Sequence, residues 1–452
     1  MTRGAAPREA ALALTVAIVL ADSSIVTLGL PDILREFDTS VAGAAWVLIA
    51  FNVVLAAALP AVAAAGGRVD AGRVWAAGVL VLAAASAACA LAPSLALLLV
   101  GRVAQAAGGA AVLAGAVGAL AEARGSDAAG ARVWGPAGVA GLALGPVAGG
   151  LLTELLSWQA IFAVQVPVAL LVLGRPSLEP GAALDRRTRP PLLPGIALAL
   201  LSAALTAALF LLVILLTRGW EHSPLAAAAI VSLMALATLV AGPLARRLPS
   251  DSWLAAAGIV AAAGGLAALG LLPGADWRWT VAPQALIGLG LGLAMPVLTD
   301  QALAGGRSGA AVGTLWVRHA GIVVGLLLLV PLFSADLEGQ QDAAERAGTA
   351  LLLEARLPPA TKIELGQAIA DQIERAQGRL PRLGPAFEAV PPPADVRREH
   401  ARLRAAMEEE LQRAATQAFS RSFIVAALLG LLALVPLAIA ARRRRPAVGG
   451  AA

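Results

Sequence analysis

The chain has 452 residues, of which 59% are hydrophobic and 14% are charged, and its formal net charge is +5 at pH 7. Soluble domains average roughly 45–50% apolar and about 25% charged residues, so this composition excludes an ordinary soluble protein. The basic residues sit mainly in short loops between apolar runs and at the C-terminus, which argues against a nucleic-acid partner. Each apolar run is long enough to cross a hydrocarbon core of ~30 Å as a helix. The composition therefore predicts an all-α membrane protein.

Apolar runs follow one another along most of the chain, and we expect about twelve membrane-spanning helices. Several runs exceed the minimum length for one crossing, which allows a helix to tilt. The predicted spans are 10–30, 43–65, 74–92, 95–121, 133–153, 159–174, 192–216, 224–246, 253–272, 280–302, 309–333 and 420–441.

Arginine placement tests this count, because cytoplasmic loops of membrane proteins carry an excess of Arg and Lys. With a cytoplasmic N-terminus, the short outside loops hold only Arg35, Arg218 and Arg278. The arginines on the cytoplasmic side are Arg3, Arg8, Arg68, Arg73, Arg124, Arg132, Arg175, Arg186, Arg187, Arg189, Arg246, Arg247, Arg307, Arg442, Arg443, Arg444 and Arg445. Adding or removing one span would break this alternation. We therefore expect a multi-pass protein of the cell membrane with both termini in the cytoplasm.

These spans divide into two six-helix bundles. Residues 1–174 form the predicted N-terminal bundle, and residues 192–333 together with 420–441 form the C-terminal bundle. A short arginine-rich cytoplasmic loop, 175–191, connects them, and 442–452 is a basic cytoplasmic tail.

The 334–419 segment differs from the rest of the chain, because it holds 14 acidic and 11 basic residues. Its prolines separate three amphipathic stretches, which are 338–356, 360–379 and 394–418. The number of spans places this segment outside the cytoplasm. We expect the outer two stretches to extend the last two membrane helices, with the middle one packed between them.

Few charges lie within the spans, and such charges are costly enough to suggest function. Asp22, near the middle of the first span, is the candidate proton-coupling carboxylate, and Arg102 in the fourth span is its candidate partner. The alternative is that Asp22 and Arg102 form a permanent ion pair with a structural role.

A second set of polar residues is predicted to line a substrate cavity. Arg318 either binds an anionic group of a substrate or pairs with Asp300. His319 either titrates or is a neutral, hydrogen-bonded core residue. Asn52 either faces the cavity or bonds helix to helix. The predicted cavity residues are Asn52, Gln105, Trp316, Arg318 and His319.

The fifth span is rich in glycine and proline, and glycines three or four residues apart let a neighbouring helix approach closely. Pro146 favours a kink. The span is therefore either a tightly packed helix or a sealed seam that controls access to the cavity. Its glycines and prolines are Gly135, Pro136, Gly138, Gly141, Gly145, Pro146, Gly149 and Gly150.

Four of these patterns, in order, resemble the major facilitator superfamily and its drug:proton antiporter branch. Gly141-x-x-x-Gly145-Pro146-x-x-Gly149-Gly150 resembles the antiporter motif, and Trp158-Gln-Ala-Ile-Phe162 is similar to the segment after it. Arg102-Val-Ala-Gln105-Ala-Ala-Gly108 resembles the fourth-helix motif. Asp22-Ser-Ser-Ile-Val-Thr-Leu-Gly-Leu-Pro31 resembles the first-helix signature. The resemblance implies a major facilitator fold and proton-coupled export.

One motif departs from that family. The loop between the second and third spans reads Gly66-Gly67-Arg68-Val69-Asp70-Ala71-Gly72-Arg73, whereas the family pattern is Gly-x-Leu-Ala-Asp-Arg-x-Gly-Arg. It is one residue short and lacks the central arginine. The predicted cytoplasmic gate, Gly66, Arg68, Asp70, Gly72 and Arg73, then depends on Asp70 with Arg68 or Arg73.

Nothing in the sequence indicates an enzyme. There is no Walker phosphate loop, and the single lysine, Lys362, lies in the outside segment, so an ATP-driven pump is excluded on this chain. No His/Cys cluster suggests a metal, and the proton gradient is the expected energy source without a cofactor. We expect a monomer that exports amphipathic or hydrophobic, drug-like compounds. The alternatives are export of a lipid or glycolipid to the cell envelope, and a non-transporting membrane protein that binds an envelope partner through 334–419.

Overall fold

The computed structural model describes residues 5–66, 69–173, 192–245, 247–249, 252–303, 308–376 and 383–444. Within these ranges the chain is built from α-helices joined by short connections. Eleven of the described helices are long and apolar enough to cross a membrane, and a shorter apolar helix, Ala160–Leu173, lies at the predicted sixth span. The predicted all-α membrane fold is therefore confirmed.

The first half contains a helix at each of its predicted spans. The sixth span is divided after Ala163, because Pro167 has no backbone N–H to donate to the carbonyl of that residue. The helices are α1 (Ala5–Glu36), α2 (Val41–Gly66), α3 (Ala71–Ala90), α4 (Leu95–Ala123), α5 (Asp127–Leu155), α6 (Ala160–Ala163) and α7 (Gln165–Leu173).

The second half has the same sequence of helices and an insertion before its last span. That span is divided at Ala433, where Pro436 cannot donate to the carbonyl of Leu432. The helices are α8 (Leu192–Ile214), α9 (Pro224–Ala245), α10 (Ser252–Leu269), α11 (Val281–Leu303), α12 (Ser308–Glu354), α13 (Pro359–Ala376), α14 (Gly384–Ala389), α15 (Arg397–Leu432) and α16 (Leu434–Arg444).

The two halves pack their helices in corresponding pairs. In the first half α1 packs against α5 and α3 against α4, while in the second half α8 packs against α12 and α10 against α11. Between the halves, α2 contacts α12 and α5 contacts α9. Two bundles that repeat one arrangement and meet along two helix pairs are typical of transporters with internal repeats.

The hydrophobic core joins the halves on one side of the membrane more than on the other. We call the side from which residues 334–419 project the cap side, and the opposite side the tail side. On the cap side, Leu48 and Phe162 of the first half share one core with Phe210 and Phe333 of the second. On the tail side each half has its own core, although Leu315 of α12 still packs into that of the first half.

The described residues of 334–419, a segment that we call the cap, form a helical unit with its own core. Helix α12 runs unbroken for 47 residues from the membrane into the cap, and α15 returns to the membrane in the same way. At 1.5 Å per residue α12 is about 70 Å long, far more than a membrane crossing needs. Helices α13 and α14 lie against these extensions. The core residues of the cap are Ala355, Leu357, Leu365, Ile369, Leu383, Ala386, Phe387, Val390, Leu403 and Met407.

The base of the cap is attached to the second half. Thr416 of α15 accepts a 2.9 Å hydrogen bond from the indole N–H of Trp220, which follows α8. Ser420 donates to the carbonyl of Gly270, at the end of α10. Arg421 and Asp336 form a 3.3 Å ion pair that joins α15 to α12. These contacts make the base of the cap continuous with the second bundle.

Candidate functional site

A buried ion pair lies inside the first half, where α4 brings Arg102 against α1. Arg102 is 0% exposed, and a terminal nitrogen of its guanidinium lies 2.6 Å from Oδ2 of Asp22. Its Nε donates to the carbonyl of Val47 at 3.0 Å, and its other terminal nitrogen donates to Oε1 of Gln105 at 2.6 Å. The guanidinium carbon lies 4.2 Å from the centre of the Phe51 ring. Every part of this buried cation therefore has a partner, as its burial demands.

The side-chain amides of Gln105 and Gln165 close this ion pair into a ring of hydrogen bonds. The side-chain NH₂ of Gln105 donates to Ser86 at 2.9 Å and to Oε1 of Gln165 at 3.1 Å. The NH₂ of Gln165 donates in turn to Oδ1 of Asp22 at 3.3 Å. The ring joins α1, α3, α4 and α7, and all of its members are buried. The ring gives the Asp22 carboxylate an ion-pair partner in Arg102 and a hydrogen-bond donor in Gln165.

Ser86 and Gln165 are site residues that the sequence reasoning missed. Gln165 stands in the interior of a short apolar span, and an amide there is a usable signal because it must find a partner in lipid. Ser86 carries no such signal, since serine is common in membrane helices. The contact between Asp22 and its candidate partner Arg102, which the sequence left open, is present in the structure as an ion pair.

A second polar group lies where α2 of the first half meets α12 of the second. Nδ1 of His319 is 2.8 Å from Oδ1 of Asn52. The NH₂ of Asn52 donates to the carbonyl of Leu48 at 2.9 Å and to the hydroxyl of Ser23 at 3.1 Å. Because a carbonyl oxygen only accepts, the Leu48 contact determines which way the amide of Asn52 points. The neutral ring of His319 therefore carries its proton on Nδ1, and its Nε2 is an acceptor.

Arg318 and His319 can both form hydrogen bonds that none of the described residues makes with them. Nε2 of His319 is buried and has no hydrogen-bond partner. Arg318 is partly buried, and among the described residues no carboxylate forms an ion pair with it. The alternative in which Arg318 pairs with Asp300 is thus not observed, and Asp300 has another contact.

Trp316 does not join these polar residues. It is 38% exposed and lies on the stripe of α12 that also exposes Val324 and Leu327. At about 100° per residue, Arg318 points to nearly the opposite side of the helix. The structure therefore places Trp316 on an outer face and separates it from Asn52, Gln105, Arg318 and His319.

The glycines of the fifth span form two contact surfaces on α5. A methyl group at Gly141, Gly145 or Gly149 would overlap Ala17, Ser24 or Ile25 of α1, so these three glycines allow α5 and α1 to touch. Gly150 faces the other half, where a methyl group would overlap Ala228 of α9. Helix α5 remains one helix through Pro136 and Pro146. The glycine motif thus packs α5 against α1 within the first half, and its last glycine contacts α9 of the second half.

The second half repeats this packing with glycines that the sequence reasoning did not single out. Gly321 and Gly325 of α12 press against the backbone of Ala199 and Ala203 of α8. The signal was present as a Gly-x-x-x-Gly spacing in an apolar helix. The helix pairs α1–α5 and α8–α12 thus both pack closely through glycines that touch the neighbouring helix.

The predicted gate motif lies at the start of α3 on the tail side. The carboxylate of Asp70 accepts a 2.9 Å hydrogen bond from the backbone N–H of Arg73 and caps that helix. Gly72 is buried, Arg73 is exposed, Gly66 is the last residue of α2, and Arg68 lies outside the described residues. The capping role of Asp70 is clear from this geometry, and its role in a gate stays a prediction.

Comparison with known proteins agrees with this architecture. The model of the Major Facilitator Superfamily matches residues 12–332. The multidrug efflux pump LfrA of Mycolicibacterium smegmatis is 35% identical over 177 residues, which are 38% of this chain and 35% of that protein. The tetracenomycin C resistance and export protein of Streptomyces glaucescens is 32% identical over 169 residues, which are 37% of this chain and 31% of that protein. The match thus spans about a third of the length of these relatives.

Solved structures share the fold at low sequence identity. A bacterial homologue of the human lysosomal transporter Spinster, in an inward-facing and unoccupied conformation, has a TM-score of 0.63 and 19% identity, with 97% of this chain and 98% of that chain covered. Its occupied inward-facing form has a TM-score of 0.59. Since the family model covers more than half of the sequence and the helices pack as two repeated bundles, the chain belongs to the major facilitator superfamily.

Proposed function

We propose that the chain is a proton-coupled secondary transporter that exports amphipathic or hydrophobic compounds across the cytoplasmic membrane by alternating access. The observation that carries this proposal is the buried Asp22–Arg102 pair, because a carboxylate with a single cationic partner in a dry interior can exchange its charge for a proton. The exporter relatives and the glycine contacts of α5 support the direction of transport.

The proton step follows from the partners of each group. A proton on Asp22 would cancel the charge opposite Arg102 and leave that cation with Gln105, the Val47 carbonyl and the Phe51 ring. The energy of the buried cation would then rise, so α1 and α4 would adjust their contact. Gln105 acts in this scheme through Arg102, as a positioning residue.

The orientation that fits the arginine distribution places both termini in the cytoplasm and the cap outside. The described conformation, whose halves share a core on the cap side, is then closed to the outside. Gly150 and its contact with α9 form part of that closed side. We assign to Asp70 and Arg73 the stabilisation of the opposite state, in which the cytoplasmic side is closed.

The experiment is transport by the purified protein in proteoliposomes under an imposed pH gradient. We expect Asp22→Asn to abolish gradient-driven export while substrate binding is retained. Asp371→Asn, which removes the same charge from an exposed position in the cap, should transport normally. Normal gradient-driven export by the Asp22→Asn variant would refute the assignment.

The cap supports a second candidate, in which this unit hands lipid-like cargo to the envelope or binds a partner. Replacing residues 340–415 with a short Gly/Ser linker keeps the Trp220–Thr416 and Asp336–Arg421 contacts at its base. Transport that survives this deletion favours the plain antiporter. Loss of transport from a variant that still folds favours the second candidate.

A further inference from the structure

Arg318 and His319 are consecutive residues of α12, and each has hydrogen-bonding groups without a partner among the described residues. Arg318 brings a guanidinium with up to five N–H donors, and none of the described carboxylates pairs with it. His319 is 2% exposed, and its Nε2 accepts no hydrogen bond from any of the described residues. A buried acceptor without a donor is unfavourable, so a donor from outside the protein is favoured at this nitrogen.

The direction of Arg318 follows from its neighbours on the helix. Leu315, His319 and Ile322 are buried on the side that faces the first half, and Gly325 faces α8. At about 100° per residue, Arg318 lies between these two directions and away from the exposed stripe of Trp316. The guanidinium is therefore on the inner side of α12, beside the seam between the halves.

The chemistry of the two groups defines a complementary ligand. A guanidinium matches a carboxylate or phosphate through two parallel hydrogen bonds, and it binds such groups better than a neutral acceptor. Nε2 of His319 needs a donor, because Asn52 holds the ring proton on Nδ1. A ligand that satisfies both groups carries an acidic oxygen with a hydroxyl or N–H nearby.

We propose that Arg318 and His319 bind the polar head of the exported substrate, and that this head is an acidic group next to a hydroxyl or N–H donor. The proposal rests on the proposed function in calling the ligand a substrate. The apolar part of the ligand lies among the small and aliphatic side chains of the seam. Asn52 acts here as a positioning residue, because its oxygen keeps Nε2 of His319 in the accepting form.

The test measures binding to the full chain in an uncharged detergent, with no gradient present. The probes are dodecanoate, 2-hydroxydodecanoate and dodecyltrimethylammonium, which share one chain length and differ in the head. We expect the hydroxy acid to bind most tightly, dodecanoate next and the ammonium compound least. Equal affinity for the carboxylates and the ammonium compound would overturn the proposal.

Variants then assign the two contacts separately. Arg318→Gln should lower the affinity for both carboxylate probes by about tenfold or more, since a hydrogen bond to a charged group is worth about 1.5–3 kcal/mol. His319→Phe should remove the preference for the hydroxy acid, and His319→Gln, which can still donate to Asn52, should do the same. Arg402→Gln, which removes an exposed cap arginine, is the matched control and should bind like wild type. Unchanged carboxylate binding by Arg318→Gln would also overturn the proposal.

The result is separable from proton coupling. Each variant is first checked for its unfolding temperature without ligand, so loss of folding is not read as loss of binding. If the probes bind in the expected order but Asp22→Asn exports normally, the head-group site stands and the coupling assignment falls. If Asp22→Asn loses export but all probes bind alike, the head-group assignment falls.

Discussion

The two halves differ in the partners that they provide for an arginine inside the membrane. In the first half, Arg102 is fully buried and is bound by a carboxylate, an amide, a backbone carbonyl and an aromatic ring. In the second half, Arg318 is only partly buried, and none of the described carboxylates pairs with it. Burial of an ion is tolerable when its partners are built in, whereas an ion without such partners is costly to bury. The difference separates a charge whose partners belong to the protein from a charge that, in our proposal, binds a ligand.

The strongest test of this comparison is removal of each arginine in turn. Arg102→Ala leaves Asp22 as a buried charge without its counter-ion, and we expect a loss of stability of about 3–5 kcal/mol. Arg318→Ala removes no protein partner and should change stability little or raise it. The measurement is the unfolding temperature of each variant in detergent. Similar losses from both substitutions would break the comparison.

The same comparison can be sharpened with a double variant. Asp22→Asn combined with Arg102→Gln removes both charges and keeps groups that form hydrogen bonds. It should recover much of the stability that Arg102→Ala loses, because no charge is left unpaired. A double variant as unstable as Arg102→Ala would mean that packing, and not charge, dominates at this position.

The next effect concerns the glycine contacts, which the halves share. Gly141→Ala in α5 and Gly325→Ala in α12 each place a methyl group against the backbone of the neighbouring helix. We expect each to cost about 1–3 kcal/mol and to lower transport, because overpacking displaces the helices. Gly135→Ala is the matched control, since nothing lies within 4 Å of the added methyl. Equal stability of all three variants would show that these contacts are loose.

A smaller effect is expected for the link between the halves. A double-mutant cycle with Asn52→Ala and His319→Ala isolates their 2.8 Å hydrogen bond from the other contacts of each residue. Its coupling should be about 0.5–1.5 kcal/mol in stability, the usual range for such a bond. A coupling near zero would indicate that α2 and α12 are held together by packing alone.

The smallest effect is expected at Trp316. Because its side chain lies on the exposed stripe of α12, Trp316→Leu should alter stability by no more than about 0.5 kcal/mol and leave transport intact. The measurement is export in proteoliposomes beside Arg318→Gln. A transport loss equal to that of Arg318→Gln would place Trp316 in the substrate path.

Much of the architecture could be predicted, and the misses have physical causes. The apolar runs predict the helices because lipid leaves the backbone no other way to satisfy its polar groups. The division of the sixth span was not anticipated, although Pro167 is visible in the sequence. The partners Ser86 and Gln165 were missed because the ring depends on side chains that are distant along the chain and meet only through packing.

For the charged residues the sequence left the partners open, and the structure shows which contacts form. Asp22 and Arg102 are 80 positions apart, so their pairing depends on how α1 and α4 cross. By its charge, Arg318 could pair either with a carboxylate of the protein or with an anionic group of a ligand. The packing of α12 keeps it away from the carboxylates of the described residues. The outward position of Trp316 likewise depends on which face of α12 meets α2 and α8.

Apolar run lengths and charge positions were enough to predict a bundle of membrane helices, the place of the glycine-rich helix and the few charges within the membrane. They were enough because each membrane segment is selected by its own length and hydrophobicity. The packed structure was needed to show that Asp22 and Arg102 are enclosed in a ring, that His319 bonds across the halves to Asn52, and that Arg318 has no carboxylate partner among the described residues. These features depend on the rotation and register of packed helices, which no single segment specifies.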